Sequence, residues 1–474
     1  MKTTASGLAL LLVVACARAP GYRQPEIGVE IPDLWVTGVV PGEKRIEQDW
    51  WTAFGDPDLD SIIREALEHN HDLLAASARL DAALAQARIA GADLLPTVDL
   101  NLAGSRRRQN FIGFPIPGAE GDVLTTGFNN FGVSLDTAWE ADLWGRLRAG
   151  KAAALAQVRA TDAELAGARL SLAGQTAKSW FAVAEARRQV ELSERTVGLF
   201  RATAERVRSR YEAGLRPSLD LRLSLSNLAS AEAELHRRRN QLQLARRQLE
   251  VLLGRYPEGT LSGSLELPSP ADEIPAGLPA TLVSRRPDLA AAEARLAASD
   301  ARVAQARRAL YPRIRLTGSG GTSTRELGDL LDGDFTVWSL AAGLLQPIFQ
   351  GGRLRAGVDL EKARTRELLE VYVQAALTAY AEVEASLNAG TILSSREDAL
   401  LVAVEQSVAA RELAEERYEA GLEEIITVLD SQRRALTAES LLLAVRRQLL
   451  DVRIDLYLAL GGGFDVGASS ADRS

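Results

Sequence analysis

The chain repeats itself. Asp72–Pro96 aligns with Asp288–Pro312 at a shift of 216 positions, and Ala75, Ala76, Ala78, Arg79, Leu80 and Ala82 recur as Ala291, Ala292, Ala294, Arg295, Leu296 and Ala298. Farther along the shift becomes 207: Gly145-Arg146-Leu147-Arg148-Ala149-Gly150 recurs as Gly352-Arg353-Leu354-Arg355-Ala356-Gly357. At that same shift Arg210-Tyr211-Glu212-Ala213-Gly214-Leu215 recurs as Arg417-Tyr418-Glu419-Ala420-Gly421-Leu422. Both copies close on Leu-Gly, at Leu253-Gly254 and Leu460-Gly461. A period near 200 residues is too long for a solenoid, so the chain must be two similar halves of one fold.

Within each half the hydrophobic period changes. Leu59 to Leu95 is Ala-rich and helical, with a start signal at Asp56-Pro57-Asp58 and a stop at Pro96. The period then drops to two. Val98, Leu100 and Leu102 alternate with polar neighbours, as do Phe131, Val133, Leu135 and Trp139, which predicts strands with one apolar face. A Gly- and Pro-containing loop (Gly113, Pro115, Pro117, Gly118) separates them. The second half repeats the scheme with Ile314 and Leu316, an acidic loop (Glu326, Asp329, Asp332, Asp334) and a strand around Phe335 to Leu344. The expectation is four strands per chain, in two hairpins.

Gly145 to Ala213 contains no proline and is rich in strong helix formers, as is Gly352 to Ala420. Each stretch would make about 100 Å of helix. Each ends at Tyr-Glu-Ala-Gly, where Gly214 or Gly421 suits a left-handed helix terminus. A return helix follows at once, giving two αα-hairpins. The return arms carry heptads: Leu221, Leu228, Leu235, Leu242, Leu249, and Val428, Ala435, Leu442, Leu449, Leu456. Such a run predicts coiled-coil packing. The fold class is therefore mainly α with a small β portion, internally duplicated.

Composition narrows the function. Lys and Arg total 55 against 63 Asp and Glu, a net charge of −8, which excludes a dedicated nucleic-acid binder. One Cys and three His leave no disulfide framework and no conventional metal centre. His69 and His71 point apart on a helix, and no carboxylates pair at acid/base spacing. The reading is a protein without catalytic residues or cofactor.

The N-terminus reads as an export signal. Lys2 precedes the apolar run Leu8–Ala15, too short to span a bilayer alone. The run ends at Cys16, the sole cysteine, and Val13-Val14-Ala15-Cys16 resembles a bacterial lipobox, which makes Cys16 the expected lipidation site. Residues 1–15 are read as signal peptide and 16–55 as an anchored extended segment. Residues 56–260 form the first repeat, 261–280 a linker, 281–462 the second repeat and 463–474 a tail. An exported, lipidated chain with half-apolar strands points to an outer-membrane barrel. Four strands cannot enclose a usable lumen, so several chains must share one barrel. The Arg- and Glu-rich helices would stand in water.

The resemblance to a family is specific. Trp50-Trp51-Thr52-Ala53-Phe54-Gly55-Asp56-Pro57-Asp58-Leu59 resembles the opening of NodT-type outer-membrane factor lipoproteins, within the TolC/OprM channel superfamily. Arg286-Pro287-Asp288-Leu289, Tyr311-Pro312, Pro347-Ile348-Phe349-Gln350-Gly351-Gly352 and the two Tyr-x-x-Gly tips continue the likeness, over about residues 30 to 462. The resemblance implies a homotrimer with one 12-stranded transmembrane barrel and a periplasmic helical tunnel. It further implies a passive export duct working with a periplasmic adaptor and an inner-membrane pump. The alternatives are a periplasmic adaptor and a structural coiled-coil lipoprotein; the strand blocks and family motifs disfavour both.

Site residues follow from that likeness. The tips at Gly214-Leu215 and Gly421-Leu422 are expected to dock the adaptor. Ile426 and Asp430 share a helix face and match positions that line the constriction in the resembling channels, implying an apolar ring and a cation-favouring carboxylate ring. Asp220 and Tyr418 match positions that help hold the helices closed. Glu423 departs, because a TolC-like network would place an Arg there.

Overall fold

The computed structural model describes residues 28–37, 46–111, 124–261, 267, 268, 274, 279, 282 and 285–463. Segment 1–15, Cys16, most of the 261–280 linker and residues 464–474 lie outside the described residues. In order, the elements are α1 (Pro57–His69), α2 (His71–Ala92), β1 (Thr97–Phe111), β2 (Leu124–Ala141), α3 (Arg146–Glu212) and α4 (Ser218–Leu252). Then come α5 (Pro287–Arg308), β3 (Arg313–Thr324), β4 (Thr336–Leu345), α6 (Arg353–Glu419) and α7 (Ile425–Ala459). The two repeats do not form two separate bodies. One compact unit draws on Asp81–Arg159 and Glu293–Glu370, the other on Glu26–Leu80, Ala160–Ala292 and Val371–Ser474.

The first unit holds the sheet, a four-stranded antiparallel meander in the order β1-β2-β3-β4. Its register puts all the predicted apolar residues on one face. Val98 pairs with Thr137, Leu100 with Leu135 and Leu102 with Val133; Trp139 pairs with Leu316, and Gly318 with Leu340. That face is uncovered: Leu100 is 65% exposed, Trp338 76% and Leu340 79%. The other face carries Asp99, Asn101, Ser134, Asp136, Glu140, Arg315 and Ser319. Gly321 allows the closest approach of β3 to β2, since a Cβ there would overlap the Val133 carbonyl. The strand-to-helix joints are pinned by side chains. Asp142 accepts from the Leu147 and Arg148 amides that begin α3 (3.1 and 2.9 Å). Trp139 Nε1 donates to the Leu94 carbonyl and Trp144 Nε1 to that of Pro312, both at 2.9 Å.

The second unit is helical with an aromatic cluster at its core. Trp50 stacks on Tyr457 with centroids 5.0 Å apart, and Phe54 packs against Phe181 at 5.3 Å. Trp180, fully buried, donates to Asp56 Oδ2 at 2.8 Å. Asp56 Oδ1 meanwhile caps α1 through the Asp58 and Leu59 amides, so one carboxylate ties the helix start to the core. The single helix expected over Leu59–Leu95 is broken at Asn70, which is extended (φ −66°, ψ 123°). Its Oδ1 caps α2 through Asp72 and Leu73, and its Nδ2 donates to the Leu252 carbonyl at 3.0 Å. An Asn side chain able to cap and bridge makes the break cheaper than a continuous helix.

The heptads are buried unequally. In the second repeat Val428, Ala435, Leu442, Leu449 and Leu456 are all buried, each buried Leu contributing about 2 kcal/mol relative to exposure. In the first, Leu235, Leu242 and Leu249 are buried while Leu221 and Leu228 are half-buried. Among the described residues no helix is long and apolar enough to cross a membrane.

Candidate functional site

The expected gate and docking positions lie at the two hairpin tips of the helical unit. Each tip is a Schellman turn. Leu215 N donates to Arg210 O and Gly214 N to Tyr211 O, both at 2.8 Å; Leu422 N donates to Arg417 O and Gly421 N to Tyr418 O, at 2.9 and 3.0 Å. Gly214 and Gly421 take the required left-handed conformation, with φ of +74° and +78°. Nothing lies within 4 Å of a Cβ built at either, so glycine is demanded by the backbone and not by crowding. Past the turns several apolar side chains are exposed: Leu215 is 72% exposed, Leu219 64%, Leu422 70% and Ile426 52%, whereas Ile425 is buried.

The two tips are fastened to each other. Arg210, before the first tip, donates from Nη1 to the Tyr418 carbonyl and from Nη2 to that of Glu419, both at 3.1 Å. These are carbonyls at the C-terminus of α6, where a positive charge is favourable. The Arg210 guanidinium also lies 4.8 Å from the centroid of the Tyr418 ring, and Arg216 lies 5.3 Å from it. Arg206 pairs with Glu419. Tyr418 is therefore buried, 3% exposed, while its repeat counterpart Tyr211 is 41% exposed. The Tyr418 hydroxyl is buried without a partner among the described residues. Farther along, buried Gln432 of α7 donates to Thr203 Oγ1 (3.2 Å) and Glu415 Oε1 (2.7 Å), joining α7 to α3 and α6.

Ile426 and Asp430 lie on one face of α7, away from its buried seam of Ile425, Val428, Leu429 and Gln432. Asp430 is not an isolated carboxylate. It accepts from Arg434 Nε at 2.6 Å and Arg433 Nη2 at 2.5 Å, on its own helix, and these two hold its carboxyl below the usual range. Both arginines are largely exposed, so this face bears two positive charges for one negative. Asp220 sits in the first turn of α4, half-buried, with no ion pair among the described residues. Glu423, at the departure from the resembling pattern, pairs with Arg417 Nε at 3.5 Å and accepts from Thr427 Oγ1 at 3.0 Å. It thus bridges the last turn of α6 to the first of α7.

Sequence reasoning did not find Arg206, Arg210, Glu419 or Gln432. Arg210 and Tyr418 are 208 positions apart, and no local pattern joins them. Arg433 and Arg434 were missed as well, although Asp-x-x-Arg-Arg sets both at pairing distance from Asp430 on a helix.

Comparison with known proteins places this geometry. The outer membrane efflux protein family matches residues 62–255 and 278–462. The chain is 34% identical over 465 residues to the pyoverdine export outer membrane protein OpmQ of Pseudomonas putida, covering 96% of each. It is 32% identical to the toluene efflux pump outer membrane protein TtgI of Pseudomonas putida, covering 97% of each. Among solved structures it is similar to the open state of the MtrE outer membrane channel of Neisseria gonorrhoeae, with a TM-score of 0.82 and 29% identity over 95% of this chain and 99% of that one. The chain belongs to the outer membrane efflux protein family, and is an outer-membrane channel component of a bacterial efflux or secretion system, not an enzyme.

Proposed function

We propose that three copies of the chain close one twelve-stranded barrel and one periplasmic tunnel, forming a passive duct for small molecules. The observation that carries this reading is the open sheet. Among the described residues β1 and β4 are unpaired edges of a sheet whose apolar face is uncovered. In lipid every edge must be paired, and copies of the same chain supply the partners. A periplasmic adaptor docks on the tips around Gly214-Leu215 and Gly421-Leu422, whose exposed leucines give it an apolar grip, and an inner-membrane pump drives cargo through it. Ile426 and Asp430 form the gate, and Asp220 and Tyr418 help hold the helices closed. The relatives' stated cargoes, pyoverdine and toluene, differ widely in polarity. That range fits a duct that excludes and admits without binding.

Heat-resistant trimers in the outer-membrane fraction, with unitary conductance in planar bilayers, test the reading. Monomers without conductance would overturn it. Cys16 is the proposed anchor: Cys16→Ser should abolish fatty-acid labelling while trimers persist, because the barrel itself holds the membrane. Labelling that survives the substitution would refute the anchor.

A further inference from the structure

We propose that Arg106 and Arg108 form a binding surface on β1 for the phosphate groups of outer-leaflet lipid. The register places them. Val98, Leu100, Leu102, Gly104, Arg106 and Arg108 share one face of β1, and pairing with Phe131, Val133 and Leu135 makes it the apolar face of the sheet. Arg107 lies on the opposite face with Asp99 and Asn101.

Three observations make this pair more than a solvated end of a strand. The first is position. Thr97, where β1 begins, follows the periplasmic helix α2, so the Phe111 end is the outer end. From Val98 to Arg106 and Arg108 is about 26 to 33 Å along the strand, or about 20 to 25 Å along the normal at barrel tilt. That is the height of the lipid-facing apolar band of an outer-membrane barrel, so both guanidinium groups emerge where hydrocarbon gives way to headgroups. The second is the absence of a carboxylate. Asp99, Asp136 and Glu140 of the sheet all lie on the other face, and among the described residues neither arginine has an ion-pair partner. The third is chemistry. Two planar forks two residues apart on one face match phosphate oxygens bidentately, as ammonium groups would not. Lipid chains against Leu100 and Leu102 would set the phosphate at the arginines. The surface rests on the outer-membrane placement and not on the gate.

The test uses the purified full-length chain in detergent, with native mass spectrometry to count bound lipid. The probe is a two-phosphate glucosamine-based glycolipid, with its dephosphorylated form and inorganic phosphate as separate arms. The wild type and Arg107→Gln should bind the phosphorylated lipid alike, and Arg106→Gln with Arg108→Gln should bind it about tenfold more weakly. The dephosphorylated lipid should bind all three equally weakly. Unchanged binding in the double variant, or equal binding of the dephosphorylated lipid, overturns the proposal. So does inorganic phosphate displacing the lipid at equal concentration, which would make the site one for the free ion. Should the double variant not assemble, wild-type binding must still weaken steeply as salt rises; salt-insensitive binding overturns the proposal equally. A competing occupant is the acidic β3–β4 loop of a second copy. If Asp332→Asn with Asp334→Asn lowers lipid-free trimer stability as the arginine variant does, and lipid adds nothing, the arginines belong to that contact.

Discussion

Replacing Arg210 by Ala should loosen the fastening between the two tips. The substitution removes two hydrogen bonds of 3.1 Å to the terminal carbonyls of α6 and the guanidinium 4.8 Å from the Tyr418 ring. A cation at a helix C-terminus contributes about 0.3–1 kcal/mol and a partly exposed cation–π contact about 0.5–1 kcal/mol. Arg216 still covers the ring at 5.3 Å, and Arg206 still pairs with Glu419, so the loss is partial. Counting the two carbonyl bonds separately gives about 1–3 kcal/mol, or a roughly 5- to 160-fold shift toward separated hairpins. Single-channel recording in planar bilayers reads this as a rise in open probability. Hydrogen exchange should rise with it over residues 210–222 and 417–430. Arg208→Ala is the control, because among the described residues Arg208 pairs only within its own helix, with Glu205 at 3.1 Å. Arg210→Lys should fall between, keeping the charge but losing the two-pronged donation. If Arg210→Ala and Arg208→Ala behave alike in assembled trimers, the fastening of the two tips does not govern closure.

Gly421→Val puts a β-branched residue at φ +78° and should cost about 1–2 kcal/mol at the turn, blocking export while trimers remain; Gly421→Ala should do less, and normal export by the Val variant would count against tip docking. Ile426→Ala with Asp430→Ala should raise conductance. Asp430→Asn alone should shift reversal potentials toward anions, since Arg433 and Arg434 are left unopposed, and an unmoved reversal potential would place that face outside the ion path. Asp451 sits among Arg447, Lys178, Asp455 and Glu185, and burial pushes its carboxyl up to about 6 from an ordinary 3.8. A raised acid favours the folded state at low pH, so its contribution falls as pH rises from about 4 to 6 and costs on the order of 3 kcal/mol above that. Asp451→Asn should therefore raise the unfolding temperature at pH 8 and leave it nearly unchanged at pH 4; equal effects at both would refute the burial argument.

Much of the architecture was written locally. The period-two runs around Val98 and Leu135 identified strands, and the alternation alone separated the face of Leu100 from the face of Asp99. The proline-free stretches and the Tyr-Glu-Ala-Gly ends marked two helical hairpins. Their glycines had to be glycine because the turn needs positive φ, a property of one residue and its neighbours. The i,i+3 and i,i+4 spacing of Asp430, Arg433 and Arg434 was likewise a helix-surface matter. Asn70 shows the boundary: its capping of α2 is local, but its bond to the Leu252 carbonyl is not, and the helix break went unseen.

The tips show the same boundary from the other side. Arg210-Tyr211-Glu212-Ala213-Gly214-Leu215 and Arg417-Tyr418-Glu419-Ala420-Gly421-Leu422 are the same six residues in the same turn. Local physics therefore gave both the same helix end. Yet Tyr418 is buried beneath Arg210 and Arg216, whereas Tyr211 is exposed, and Arg210 reaches across to α6 while Arg417 turns to Glu423. Identical segments acquire different roles only from what packs against them, and for Tyr418 those neighbours, Arg210 and Arg216, come from the other repeat, some 200 residues away.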